Sequence, residues 1–226
     1  MASAIRISRL PASHPHHKPS SDILLDDNRF HALLSDADWG RLPLSIWRRF
    51  SKRHADGKTV VYVGEVDVSG FSRFGWWLAQ LARLVGGPLP TGSDTGVPMI
   101  VTVTEDAASG GQIWTRICAR KRGFPQVIHS SKRFAGPTGL EEYVGYGISM
   151  ALRISVEHEA LVFRSADYAL QFGPWRLPLP AWLTPGDLTV THSDLGSGAF
   201  RFTLDIIHPR VGRLLRQSAV FREAAS

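Results

Sequence analysis

The side chains able to do chemistry are few and dispersed. Trp114, Arg116 and Cys118 occupy alternate positions of one run, so an extended backbone puts all three on one face. If that face points inward, Arg116 is a buried cation that needs a carboxylate or the anion of a ligand. Glu65, Asp67 and Glu142 are the partners that strand placement offers. The other reading turns Arg116 outward with its stem over Trp114. His129, inside a strand, and His208, held extended by Pro209, are the candidates for proton exchange near neutral pH. With Glu142 they form the candidate acid–base set. Each histidine also has a plainer role, His129 as a hydrogen-bonded structural residue and His208 as part of a turn. Cys118, between Ile117 and Ala119, reads as a buried structural thiol rather than a reactive one. Arg153 and Asp205 lie on polar strand faces and read as solvated. No GxSxG elbow, HExxH pair or GxxxxGK[ST] loop is present, so no spacing enforces a reaction.

The totals narrow the classes. The chain has 226 residues, 43% hydrophobic and 20% charged, with seven Trp and eleven Phe, which suits a soluble protein with a sizeable core. A single cysteine excludes an internal disulfide framework and a multi-cysteine metal site, and fits a cytoplasmic setting. No run approaches the roughly 20 apolar residues of a membrane-spanning helix. The net charge of +6 gathers in Arg41 to Lys58 and Arg201 to Arg222. Without a recognised motif, such charge reads first as solvated surface and second as a face for anionic lipid or nucleic acid.

The elements that must position these groups are mostly strands. Ile148 to Glu157 alternates apolar and polar residues with a period of two, the mark of a half-buried strand. Similar runs fall at Thr59–Ser69, Met99–Thr104, Ile113–Arg120, Gln126–Phe134, Leu140–Tyr146, Leu161–Leu170, Leu188–Ser193, Ala199–Ile207 and Arg213–Phe221. Their close spacing allows only antiparallel pairing. Gly64, inside the first run, marks a bend or bulge. Ser72 to Val85 is the main helix, with Ser72 as its cap and Phe74, Trp77, Leu78, Leu81, Leu84 and Val85 as an apolar stripe expected to be buried. Two short helices precede the strands. The first carries Phe30, Leu33 and Leu34, and the second starts at Pro43 with the stripe Leu44, Trp47 and Phe50. Pro174 to Pro180 reads as a rigid connection. Residues 1–22, rich in Ser, Pro and His, read as a disordered tail whose His14, His16 and His17 form no dedicated metal site, and 23–226 as a single domain.

The order of several short motifs resembles the bacterial domain of unknown function (DUF) 4166 family. They are Arg41-Leu42-Pro43, Gly64-Glu65-Val66 before an apolar helix, Val97-Pro98, Trp114-Thr115-Arg116, Leu177-Pro178-Leu179-Pro180, and His208-Pro209-Arg210-Val211-Gly212-Arg213-Leu214-Leu215. The likeness runs from about residue 30 to 222. It implies a domain sometimes fused behind a saccharopine-dehydrogenase-like oxidoreductase, so a separately encoded oxidoreductase is an expected partner. It implies no reaction, and the chain has no strand–GxGxxG–helix unit and no cofactor motif of its own.

The expected architecture is α+β and predominantly antiparallel: a strongly curved sheet or partly closed barrel of about eight to ten strands, with helix Ser72–Val85 packed on it. Such a fold suits a small hydrophobic or amphipathic ligand, lined by Trp77, Trp114, Met150 and Phe202 and anchored by Arg116. An enzyme or an oxidoreductase accessory domain, using His129 or His208 with a carboxylate, is the alternative.

Overall fold

The computed structural model describes residues 25–53, 58–86 and 88–224. The expected N-terminal tail, with His14, His16 and His17, lies outside the described residues.

A short ribbon of β1 (Leu25–Asp26) and β2 (Lys52–Arg53) brackets the N-terminal helices α1 (Asp36–Gly40) and α2 (Leu44–Phe50). The barrel then runs β3 (Thr59–Phe71), helix α3 (Arg73–Ala82), β4 (Pro98–Asp106), β5 (Gly111–Cys118), β6 (Gln126–Arg133), β7 (Glu141–Gly145), β8 (Ile148–Glu157) and β9 (Ala160–Phe172). An edge strand β10 (Trp175–Pro178) and a 3-10 turn (Ala181–Leu183) precede β11 (Asp187–Gly196), β12 (Ala199–His208) and β13 (Gly212–Glu223).

Each pairing is antiparallel, in the order β9-β11-β12-β13-β3-β4-β5-β6-β7-β8, and β8 pairs again with β9. The ten expected strands therefore close completely, which removes the sheet edges that an open version would expose. The eleventh, β10, continues the line of β11 along β9, Trp175 opposite Phe172. Proline is tolerated there because an edge strand leaves donors unpaired anyway, so the expected connection is in part a strand. Gly64 does not bulge. A side chain there would meet the Val220 carbonyl and the Phe221 ring, so glycine admits close approach, and the register shift falls at Val66–Val68, where Asp67 is skipped.

The two ends of the barrel differ. At one, the N-terminal segment forms a plug. Phe30, Ile46 and Phe50 are fully buried, with Phe30 edge-on to Phe50, Phe134 and Phe163 at 4.9–6.2 Å between ring centroids. The first expected helix is a 3-10 turn, His31–Leu33, without a side-chain cap, and Ser35 caps the following α1 by accepting from the Asp38 N–H. In α2 the buried positions are Ile46 and Phe50, while Leu44 and Trp47 of the expected stripe are exposed.

At the other end, α3 lies across the mouth. The Ser72 hydroxyl caps it by accepting from the Gly75 N–H at 3.1 Å, as expected, and the Ser72 N–H donates to the Leu214 carbonyl of β13. Its far end reaches β7, where Gly86, in the left-handed region at φ 96°, sits beside the Val144 carbonyl. The face turned to the barrel carries Gly75 and Ala79, both buried, with Leu78 beside them. A side chain at 75 would strike the Leu214 carbonyl, so small residues let the helix backbone sit against β13. The expected stripe is corrected in part: Leu78 and Val85 turn to the barrel, Leu81 stands at the edge of the interior, and Phe74, Trp77 and Leu84 face outward, Leu84 being 78% exposed.

Candidate functional site

Strand alternation decides what enters the barrel. From β5 come Trp114, Arg116 and Cys118; from β6, Ile128, Ser130 and Lys132; from β7, Glu142; from β8, Met150; from β11, Leu188, Val190 and His192. Antiparallel register then sets Lys132 opposite Glu142, and Glu142 opposite Met150.

Arg116 does point inward, and of the three carboxylates offered, Glu142 is its partner. Arg116 Nη2 stands 3.7 Å from Glu142 Oε1 and donates to Ser130 Oγ at 2.9 Å. Lys132 Nζ donates to Glu142 Oε2 at 3.1 Å and lies 4.9 Å from the Trp114 ring. Glu65 is exposed, and Asp67 pairs outside with Arg201 at 3.2 Å. Burial opposes charge on Glu142, yet Lys132, Arg116 and the hydrogen bond from Ser130 outweigh it and hold the carboxyl down at about 2. Burial pulls the Lys132 ammonium below its usual range against the support of Glu142. The result at this cluster is two cations sharing one carboxylate. Arg116 Nε is buried without a hydrogen-bond partner.

Above this cluster is a cavity of about 330 Å³. Arg116 and Glu142 form its polar floor. Val144, Ile148, Met150, Tyr168, Leu188, Val190 and Leu204 make the barrel wall, and Leu78, Leu81 and Ala82 of the helix, with Val85 of the 3-10 turn Arg83–Val85 that follows it, make the roof. Leu183, Thr184 and Pro185 stand opposite the helix. Leu81 and Leu183 line the space yet are more than half exposed, so the wall reaches the surface between them.

The expected site residues divide. Arg116, Met150 and Glu142 meet at the cavity. Trp114 and Phe202 lie deeper, with His192 around a void of about 10 Å³. Trp77 is not among the lining residues and is 63% exposed. His129 is outside the barrel, its Nδ1 3.0 Å from Thr115 Oγ1. His208 Nδ1 accepts from the Arg210 N–H in the turn before β13, the turn role rather than a cavity role. Neither histidine comes within hydrogen-bond reach of Glu142. Cys118 faces inward, and burial pushes its thiol up, away from thiolate chemistry. Among the described residues no three of His, Cys, Asp and Glu converge as a metal-binding group.

This chain matches the family described as Domain of unknown function (DUF4166) over residues 42–221. It belongs to that family. No curated protein and no solved structure matches it significantly. The match covers every strand of the DUF4166 barrel apart from the last two residues of β13, and it includes Arg116, Lys132, Glu142 and all the cavity-lining residues.

Sequence reasoning missed Lys132 and His192. Both were legible, since Ile128-Ser130-Lys132 and Leu188-Val190-His192 are alternate positions whose earlier members are apolar or small. Both His192 nitrogens are buried and unpartnered. Its ring stacks on Phe200 and meets Phe50 and Phe202 edge-on at 5.1 and 5.0 Å, and burial holds it neutral far below its usual range.

Proposed function

We propose that this DUF4166 domain binds one small amphipathic molecule, its apolar body between α3 and the barrel wall and its anionic head at Arg116. The observation that carries this reading is a cavity that is apolar on its walls and lined at its polar end by Arg116, a buried cation that shares its one carboxylate with Lys132. A ligand carboxylate, sulfonate or phosphate beside the guanidinium would balance the second cation. The volume lies at the lower end of the range for small-molecule sites, roughly 300–1,000 Å³, which favours a short or compact body. Aliphatic wall residues and the absence of a converging donor–acceptor array favour a chain or ring system over a sugar or nucleotide.

The test uses anilinonaphthalene sulfonate, an anion with an apolar body that fluoresces when desolvated. Purified protein is expected to enhance its emission, and decanoate to displace it. Ile148→Trp, which adds bulk at a lining position, should abolish both effects while leaving the unfolding transition in place. Enhancement that is the same in Ile148→Trp would place the probe elsewhere and remove the cavity from the account.

A further inference from the structure

The bulky face of α3 is turned to solvent, and apart from Leu81 at its edge the cavity does not explain it. Phe74, Trp77 and Leu81 fall at intervals of three and four, so they form one stripe along the helix, and exposed Leu84 follows on the 3-10 turn after it. Around the same mouth stand Tyr146 on the β7–β8 turn, Phe172 and Trp175 where β9 passes to β10, and Trp182 on the 3-10 turn, the last 77% exposed. Four of the seven tryptophans, Trp76, Trp77, Trp175 and Trp182, are exposed at this end. At the plugged end Phe30 and Phe50 are buried and the exposed apolar residues of α2 are Leu44 and Trp47.

The charge carried by the helix segment has one sign. No Asp or Glu occurs between Asp67 and Asp94, a stretch that contains the whole helix, whereas Arg73 and Arg83 flank the stripe. Arg210 lies in the turn leading to β13, against which the helix start packs. Among the described residues none of these three makes an ion pair. By contrast, Arg201 and Arg213, of the basic stretch nearer the C-terminus, are paired with Asp67 and Asp205.

We infer that the α3 face of this barrel docks on an anionic lipid bilayer, with the aromatic rim in the interfacial layer and Arg73, Arg83 and Arg210 at the headgroups. Tryptophan and tyrosine favour the depth where an apolar ring meets headgroups, and leucine and phenylalanine favour the acyl boundary just below. Arginine beside them adds attraction to anionic lipid that salt weakens. A second copy fits less well, because a two-fold interface on this face would set Arg73, Arg83 and Arg210 against their own counterparts. A protein partner fits less well too, because the aromatics stand on four separate elements around an opening rather than forming a pocketed patch. The inference goes beyond the ligand reading and does not require it. If both hold, the cavity opens directly onto the acyl layer between Leu81 and Leu183.

The experiment is sedimentation of the full chain with vesicles, either phosphatidylcholine alone or phosphatidylcholine mixed with phosphatidylglycerol. The protein should pellet with the mixed vesicles, its tryptophan emission should shift to the blue, and added salt should release it. Paired replacement Trp77→Glu and Leu84→Glu, both at exposed positions off the cavity lining, should cut the bound fraction about tenfold or more with an unchanged Tm. Displacement of anilinonaphthalene sulfonate by decanoate should survive the same replacements, so the surface and the cavity fail separately. Protein that stays in the supernatant with phosphatidylglycerol present would overturn the inference. So would equal pelleting of the doubly substituted protein, or a solution dimer that those two replacements dissociate.

Discussion

Arg116 and Glu142 stand 3.7 Å apart on the cavity floor, but the nearer cation to that carboxylate is Lys132, at 3.1 Å. One carboxylate therefore serves two buried cations, and the second, Arg116, is left with a donor to spare. A barrel interior built only for stability has no use for that surplus, since apolar residues of like volume do as well as a buried ion pair or better. Arg116 and Glu142 both line the cavity of about 330 Å³.

Removing the carboxylate charge should expose this arrangement. Glu142→Gln leaves Lys132 and Arg116 buried together without an anion, and is expected to cost about 3–5 kcal/mol in urea unfolding. Lys132→Met added to Glu142→Gln should recover most of that loss, because only Arg116 then remains charged. A single replacement as costly as the pair would show that packing, not charge, is what Glu142 supplies.

Acid should act on the same cluster. The Glu142 carboxyl lies at about 2 when folded against 4.5 when free, so the stability it contributes is complete above pH 4.5 and is lost as pH falls toward 2. In Glu142→Gln that part of the acid transition should disappear. Urea midpoints measured from pH 6 down to pH 3 give the comparison.

His192 titrates in the opposite sense for a base. Free imidazole takes up its proton near 6.5, while the buried ring stays neutral. Below that pH the unfolded chain binds more protons, so His192 costs the fold stability as pH falls, by about 1.4 kcal/mol per pH unit. His192→Leu should remove that slope and, by deleting two unpartnered nitrogens, raise stability by about 1–3 kcal/mol at neutral pH. Loss of stability at pH 7 in this variant would mean that the imidazole has partners inside the barrel.

The seat of the helix is also testable. A methyl group at Gly75 would lie 1.8 Å from the Leu214 carbonyl oxygen, so Gly75→Ala must lift α3 from β13. The expected cost is about 1–3 kcal/mol, with faster release of bound anilinonaphthalene sulfonate in stopped flow. Gly40→Ala, at a helical position with nothing within 4 Å, is the control and should be neutral or slightly stabilising.

The barrel was legible because its ten strands alternate cleanly, and alternation states which residues share a face. It also brought Trp114, Arg116 and Cys118 inward together, and it would have brought Lys132 and His192 had it been applied to every strand. The helices were read less well. Where Phe74, Trp77, Leu81 and Leu84 share a helix with Gly75, Leu78, Ala79 and Ala82, periodicity cannot say which side is inside, and bulk misleads. Contact with β13 is set by the closest backbone approach, which selects the small residues. The same ambiguity exchanged Leu44 and Trp47 for Ile46 in α2. Cross-strand distances such as Arg116 to Glu142 depend on barrel closure, which no local pattern encodes.

The central claim is that the cavity recognises an anionic head through Arg116. Isothermal titration with decanoate and with decanol, against the wild-type chain and Arg116→Met, tests it most directly. The acid should bind wild type about tenfold or more tightly than the alcohol, a difference of about 1.4 kcal/mol or greater, and Arg116→Met should erase that preference while keeping affinity for the alcohol. Equal binding of acid and alcohol by the wild-type protein, or a preference for acid that survives Arg116→Met, would contradict it.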